Sequence, residues 1–530
     1  MKKKIIKLSI VFLPIFVITA LAFFLFKNSF SYSDTDLGWH LRIGEDIAAT
    51  GKAPIVNYYN YTLADQNWVD HEWLFNLIMA SVHKVGDFLA LHIFFVVIIL
   101  GAVILNWRRV RLLLGETAVV KYGSLVLLIL GVWASTPHFG LRVQEFGVLM
   151  LILLLYIISL YPRTRRWLWS IPLFFVLWAN MHGSFLLGLG ILGIYTLYAI
   201  FQPIWGRWRY FKPFLGYLFS KRDKIALAAI FGLSVAATLI NPYGFQLYAF
   251  LGGYTDTLYM SYIQEWLGQE SLPFCYPQLI YLSLAAALML LYFRKKRHEI
   301  KPLNLWEWGV SIFFFILAFK SRRHFPLFVF ASLPLLTTAF SELFDGFQIN
   351  LKPKSQQKLR LGIIILAIVF MVFQIINIPW RQDTINDFCE KKYPCQAVNY
   401  LKSRSDLAEK RLFNEYGWGG YLLYAYPERQ IFIDGRMPQT KYGEQSILRE
   451  FIKLRRVEEN LEEFSDKHDI DLIHLEVKDK PIMFHRWEKY LFGINDQDLN
   501  APDKLRVEIE ASDKWTLIYS DELSVIYERN

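Results

Sequence analysis

The feature that most constrains this chain is an alternation of apolar runs with short polar loops, continued to about residue 380. An apolar run of about 20 residues crosses the hydrocarbon core of a bilayer as a helix. A helix is required there because lipid offers no partner to an unpaired backbone N–H or C=O. Runs of this kind occupy 8–28, 88–107, 118–136, 146–161, 167–181, 184–202, 224–241, 274–293, 304–320, 325–342 and 361–379. The predicted fold class is a polytopic α-helical membrane protein with about 11 transmembrane helices. The two short runs that meet at Met181–Gly183 also fit one reentrant pair. Segment 8–28 follows Lys2, Lys3, Lys4 and Lys7, which suits a signal anchor or a cleaved signal peptide. It is longer than a typical signal core and has no clear small-x-small site, so it is read as the first span with a cytoplasmic N-terminus.

Charge then sets orientation. The net charge of +10 does not indicate nucleic acid, because the cations sit in the short loops between apolar runs. One set of loops holds Arg108, Arg109 and Arg111; Arg163, Arg165 and Arg166; and Arg207, Arg209, Lys212, Lys221, Arg222 and Lys224. The same side holds Arg294, Lys295, Lys296, Arg297 and Lys301, and Lys352, Lys354, Lys358 and Arg360. The opposite loops are nearly free of Lys and Arg, as expected when the basic side is cytoplasmic. An odd number of spans then leaves the tail outside. The expected organisation is a membrane domain over 1–380, with a first outer loop at about 29–86, and an extracytoplasmic α/β domain over 381–530. The expected location is the plasma (inner) membrane. Hydrophobic residues make up 54% of the chain, more than a soluble protein of this size needs.

Beyond residue 380 the composition becomes that of a soluble domain. Strand-like runs cover 411–414, 430–434, 471–477 and 515–519, and helical patterns cover 395–403, 441–463 and 481–492. Such alternation predicts a compact α/β layer. Three cysteines exclude a disulfide scaffold, and Cys389 and Cys395 fit either a local disulfide or two free thiols.

The predicted outer face carries the residues with chemistry. Asp34 and Asp36 follow the first span in Ser33-Asp34-Thr35-Asp36-Leu37-Gly38-Trp39-His40. A carboxylate there suits a general base or a divalent-cation ligand; the plainer reading is two solvated loop residues. The loop continues to Trp68-Val69-Asp70-His71-Glu72-Trp73-Leu74, where Asp70, His71 and Glu72, with His40, are candidate substrate or metal contacts. Arg142 stands in an otherwise uncharged stretch, Leu141-Arg142-Val143. Lys320, Arg322, Arg323 and His324 form a basic cluster that breaks the charge bias. Each cation on that side opposes the membrane potential by about 2.3 kcal/mol per 100 mV, so a task such as phosphate binding is indicated. A miscount of one span would instead make the cluster cytoplasmic. His182, in the polar break Asn180-Met181-His182-Gly183-Ser184, and Glu265 are further candidates. Asn241-Pro242-Tyr243-Gly244 is first of all a turn signal. In the tail, Trp418-Gly419-Gly420-Tyr421 and Ile433-Asp434-Gly435-Arg436 sit at strand ends, where ligand loops gather in α/β domains. No P-loop, HExxH, zinc-type cysteine cluster or Ser-His-Asp signature occurs.

Taken together, these motifs resemble the GT-C class of integral-membrane glycosyltransferases. More closely, they resemble bacterial Rgt-like proteins that join a GT-C domain to an outer α/β tail. The resemblance implies a polyprenyl-phosphate sugar donor and a glycan, lipid or protein acceptor at the outer face, with transfer of a hexosyl or pentosyl group. It also implies an essential acid in the first outer loop, the place held here by Asp34 and Asp36, with Asp36 favoured. Arg142, Lys320, Arg322, Arg323 and His324 are then the candidates for the donor phosphate. Protein O-mannosyltransferases and aminoarabinose transferases carry a basic residue and two prolines where His71-Glu72-Trp73-Leu74 stands, so their metal and acceptor contacts do not carry over. No cofactor is assigned with certainty; a divalent cation is compatible with the carboxylates, although no spacing identifies a site. The rival readings are a flippase for a lipid-linked glycan and a non-catalytic glycan-binding membrane protein. The chain has no internal repeat of the transporter kind.

Overall fold

A computed structural model describes residues 2–31, 34–253, 257–295, 303–344, 353–378, 389, 392–477, 484–495 and 503–530. The expected domain boundary at 380/381, Ser33, and the loop cations Lys296, Arg297, Lys301 and Lys352 lie outside the described residues.

Each apolar run is built around a helix. The helices are α1 (Lys2–Ser29), α2 (Leu37–Thr50), α3 (Trp73–Leu114), α4 (Ala118–Ser135), α5 (Gln144–Leu160), α6 (Ile171–Met181) and α7 (Phe185–Trp205). They continue with α8 (Lys221–Ala237), α9 (Gln246–Gly253), α10 (Thr257–Tyr262), α11 (Tyr276–Lys295), α12 (Leu305–Lys320), α13 (Phe325–Phe344) and α14 (Pro353–Ile376). Among the described residues, five helices are long and apolar enough to cross a membrane, and three more are shorter apolar helices. The chain is therefore a multi-pass membrane protein.

Local sequence explains the breaks. In α3 the helical geometry fails at Gly86 and Asp87, the latter at φ 54°, where the first long loop was expected to end. The loop is more structured than expected, since it holds α2 and the first turns of α3. Gly115 ends α3, its N–H bonding Arg111 O, and the Thr117 side chain caps α4 by accepting the Val120 N–H. Helices α4 and α13 meet at small residues: a Cβ on Gly131 would fall 2.2 Å from Val329 Cγ1.

One expectation about charge is corrected. Arg108, Arg109 and Arg111 are not in a loop, because α3 runs on to Leu114, and of the three Arg109 is completely buried. Its guanidinium donates to Glu307 Oε2 at 2.5 Å and to Ser159 Oγ at 3.1 Å. A buried cation is tolerated because its counter-charge is buried with it.

The C-terminal part contains a four-stranded sheet in the order β1-β4-β6-β5, with a short hairpin of β2 (Lys441–Tyr442) and β3 (Gln445–Ser446). The four are β1 (Leu412–Asn414), β4 (Leu472–Glu476), β5 (Trp515–Ser520) and β6 (Ser524–Arg529). Strand β1 is parallel to β4; β6 is antiparallel to both β4 and β5. Three tail expectations change. Segment 430–434 is not a sheet strand: Ile431 bridges Asn60 of the first loop on one side and Leu412 on the other. The pattern at 441–463 divides into the hairpin and two helices, Ile447–Arg455 and Leu461–His468. Strand β6 was not anticipated. Helix Cys395–Ser403 forms as expected, and Cys389 and Cys395 are joined by a disulfide. Of the pattern at 481–492, Arg486–Phe492 is helical, while 481–483 lie outside the described residues.

Replacing Glu307 by Leu leaves Arg109 buried without its counter-charge, an expected loss of about 3–5 kcal/mol. Thermal unfolding of detergent-solubilised protein will read it as a lowered midpoint. Combining Glu307→Leu with Arg109→Met is expected to restore most of the loss.

Candidate active site

The site is assembled where the first loop turns into α2. Asp36 is the N-cap of α2, and its own N–H donates to Asp34 Oδ1 at 3.2 Å. That Asx-type turn directs the two carboxylates differently. Asp34 faces Arg142, with Nε 3.9 Å from Oδ2, while Asp36 lines a cavity of about 340 Å³. Asp70, His71, Glu72, His182, Arg323, His324 and Arg436 line the same cavity, with Trp39, Trp68, Trp178, Tyr259 and Trp266 among its walls.

The C-terminal part closes this cavity. A Cβ on Gly435 would fall 2.2 Å from Asp36 Oδ1, so only glycine lets this turn approach the carboxylate. A Cβ on Gly38 would meet Gly420 O at 2.2 Å, and one on Gly420 would meet Thr35 O at 2.4 Å. Backbone therefore packs on backbone across the join. Beside it, Arg436 is buried, paired with Asp434 (Nη2 to Oδ2 2.6 Å), and donates to Asn60 Oδ1 at 2.6 Å. Its guanidinium stacks over Tyr59 and Trp68, 4.5 and 4.7 Å from the ring centroids.

The electrostatics separate the two aspartates. Burial, then the neighbouring Asp34 charge, pushes Asp36 up to about 7. Burial acts to raise Asp34 as well, but Arg142 and the Asp36 N–H outweigh it and hold Asp34 below its ordinary value. Lys392 also acts on Asp34 and was not picked out from the sequence. Of the two, Asp34 is thus the permanent anion, and Asp36 changes state near neutrality.

A second cluster lies around Glu72. Burial, followed by the charge of Asp70, raises Glu72 well above the carboxylate range, and burial pushes Asp70 up to about 7. Burial lowers His40 to about 4 and His71 to about 3, so both are neutral. Hydrogen bonds set the tautomers. Asn76 donates Nδ2 to Asp70 (2.8 Å), so its Oδ1 accepts from His40 Nδ1 (2.6 Å). The Ser184 N–H donates to His182 Nδ1 (3.1 Å), which leaves the proton on Nε2, 3.4 Å from Glu72 Oε1. His71 Nε2 lies 3.5 Å and His40 Nε2 4.0 Å from Glu72. His40, His71 and Glu72 thus form a neutral polar cluster rather than a set of ion pairs. Among the described residues, no three His, Cys, Asp or Glu side chains are grouped as a metal site.

The basic candidates divide. Arg323 lines the cavity, donates to Gln144 Oε1 at 3.2 Å and stacks over Trp266 at 5.2 Å. His324 lines it too. Arg142 is ion-paired with Glu265, which also sits 3.8 Å from Arg323. Arg322 turns away, donating to the carbonyls of Gly268 (3.2 Å) and Ser271, and Lys320 is exposed; neither lines the cavity. Glu145 lines it unannounced, its Oε1 accepting the Gly140 N–H at 2.5 Å. The signal for Arg436 was present in Asp434-Gly435-Arg436, but nothing in the sequence tied it to Asp36.

A largely apolar groove of about 980 Å³ adjoins the cavity, lined by Trp73, Leu74, Leu153, Tyr156, Trp167 and Phe174 among others. Glu72 lines the cavity and the next residue, Trp73, lines the groove, its indole N–H donating to Asn180 Oδ1 at 2.9 Å.

Membrane helices around an acidic first-loop cavity, capped by a C-terminal α/β part, define the GT-C-like fold, and this chain has it. The oligosaccharyltransferase of Archaeoglobus fulgidus, solved with a tethered acceptor peptide containing the NVT sequon, superposes with a TM-score of 0.53 at 11% identity. The match covers 97% of this chain and 74% of that one. The archaeal enzyme AglB from the same organism, with an inhibitory peptide and a dolichol-phosphate, gives 0.50 at 11% identity, covering 98% and 74%. ArnT from Cupriavidus metallidurans, bound to undecaprenyl phosphate, gives 0.53 at 12% identity, covering 96% and 97%. No protein-family model and no curated protein matches the chain.

Infrared difference spectra of the wild type against Asp36→Asn are expected to contain a carboxyl band that titrates near pH 7. Asp34→Asn removes the like charge and is expected to move that band to lower pH. Gly435→Ala, which collides with the carboxylate, is expected to shift it as well; Gly417→Ala, whose Cβ would lie 3.9 Å from its nearest neighbour, is expected to leave it in place.

Proposed function

We propose that this protein is a membrane glycosyltransferase that takes a sugar from a polyprenyl-phosphate donor and transfers it to an envelope glycan, lipid or protein at the outer face of the membrane. The observation that carries the reading is a single cavity holding a carboxyl poised near neutrality, Asp36, together with Arg323, beside an apolar groove. The AglB and ArnT structures contain dolichol-phosphate and undecaprenyl phosphate, which makes a lipid-linked donor the natural occupant.

In this reading the polyprenyl tail lies in the groove past Trp73 and Leu74. Its phosphate meets Arg323, with His324 beside it. The unprotonated Asp36 carboxylate takes the proton from an acceptor hydroxyl. The acceptor oxygen forms a bond to the anomeric carbon as the bond from that carbon to the phosphate oxygen breaks. The phosphate leaves as an anion, and Arg323 stabilises the growing charge. Attack opposite the leaving group inverts the anomeric centre. Asp34, held ionised by Arg142, is not the base; its charge keeps Asp36 basic. Tyr259 and Trp266, in the cavity wall, offer aromatic surface against which a sugar ring packs. Neutral His71 and Glu72, with His182, line the cavity and hydrogen-bond sugar hydroxyls without a competing charge.

The test is transfer from radiolabelled polyprenyl-phosphate sugars by protein in proteoliposomes. Asp36→Asn is expected to lose about 10²–10⁴-fold in rate, and Arg323→Ala about 10²-fold. With Asp36 as base, kcat/KM is expected to fall as pH drops below about 7 and to level off above it. Full activity in both variants, correctly inserted, would overturn the assignment. The topology has its own check. A cysteine at the exposed Lys320 is expected to react with a membrane-impermeant maleimide in intact cells; labelling only after permeabilisation would put the cavity on the cytoplasmic side.

A further inference from the structure

The C-terminal part holds one cluster of large apolar side chains that the proposed reaction does not use. Helix Arg486–Phe492 leaves Trp487 46%, Tyr490 91%, Leu491 65% and Phe492 48% exposed. A contiguous apolar surface facing water is costly, and on a soluble face it marks an interaction site.

Its neighbours locate it. Trp487 stacks on Phe274 at 5.8 Å with an interplanar angle of 16°, and Phe492 packs on the same ring at 5.8 Å. Tyr276 meets His485 at 4.8 Å and Trp487 at 6.1 Å. The Phe274 N–H donates to Glu488 Oε1 at 3.2 Å. Tyr276 is the first residue of α11, a helix of 20 residues. At about 1.5 Å per residue this helix is about 30 Å long, which equals the hydrocarbon thickness of about 30 Å. Its two ends therefore fall at the two membrane surfaces. The far end carries Arg294 and Lys295, the near end Phe274 and Tyr276. The exposed Trp167, Trp169, Trp208 and Tyr210 lie in the loops that carry Arg and Lys, as an aromatic girdle does.

We propose that helix Arg486–Phe492 is an interfacial anchor that seats Trp487, Tyr490, Leu491 and Phe492 in the bilayer surface beside α11. The occupant of this face is lipid, because the face continues the apolar surface of a spanning helix at the depth where that helix leaves the hydrocarbon. Aromatic and aliphatic side chains are stable there, while Arg486 and Lys489 suit the headgroup region. The C-terminal part is then held at two places: by its glycine contact with Asp36, and by this helix on the membrane.

The test uses the full chain in lipid nanodiscs and needs no substrate. Cys275, the one free cysteine among the described residues, is replaced by Ser, and Leu491→Cys is labelled with a nitroxide. A matching label goes on Leu517, 50% exposed on β5. Power saturation is expected to give Leu491 preferential relaxation by dissolved oxygen, and Leu517 preferential relaxation by an aqueous nickel chelate. Leu491 relaxing mainly with the chelate would overturn the anchor and leave the face as a protein or glycan contact. Leu491 is exposed, so the substitution does not threaten folding. The outcome is also independent of the Asp36 assignment.

Discussion

The structure depends on one close contact, the approach of the Asp434-Gly435-Arg436 turn to the start of α2. At Gly435 there is no room for a Cβ because the Asp36 carboxylate occupies that space. Gly38 and Gly420 repeat the arrangement one step away. Hydrogen bonds extend the join: Thr62 Oγ1 donates to Phe432 O at 2.6 Å, and Ile431 N–H donates to Tyr59 O at 3.1 Å. The extended stretch 430–434 is consequently an adaptor between the first loop and β1, rather than a strand of the sheet.

That contact has an electrostatic consequence. Closing the cavity removes water from Asp36, Asp70 and Glu72 at once, and burial is the largest influence on each. Several carboxylates cannot all remain charged in such a space. The chain resolves this by pairing Asp34 with Arg142 and Glu265 with Arg142 and Arg323. Asp36 and Asp70 are left as the groups whose state changes near neutral pH. Partial neutralisation also limits how strongly the cations attract a phosphate. Arg142 is committed to two carboxylates, whereas Arg323 shares Glu265 at a longer distance and faces the cavity.

Arg322 and Arg323 illustrate where sequence reasoning ran out. They are adjacent and chemically identical, and both were candidates for phosphate. In the 3₁₀ turn Arg322–His324 their side chains leave in different directions, so one braces the 268–271 loop and the other enters the cavity. Arg109 is a similar case. A basic residue after an apolar run reads as a loop anchor, and only the position of Glu307 on α12 reveals it as half of a buried pair. Neither distinction has a local signal, because the deciding partner is far away in the chain.

By itself the sequence determined the helical membrane architecture, since bilayer thickness and the need to pair every backbone group leave few choices for long apolar runs. It also determined that acids cluster in the first loop and that the tail mixes strands with helices. Tertiary structure alone decided which acid is poised and which is locked. It also decided that Arg436 and Gly435 belong beside Asp36, and that 430–434 serves the loop instead of the sheet. The physical reason is range. Span length and turn chemistry are set by neighbouring residues, whereas a shifted pKa or a forbidden Cβ is set by whatever the fold brings within a few ångströms.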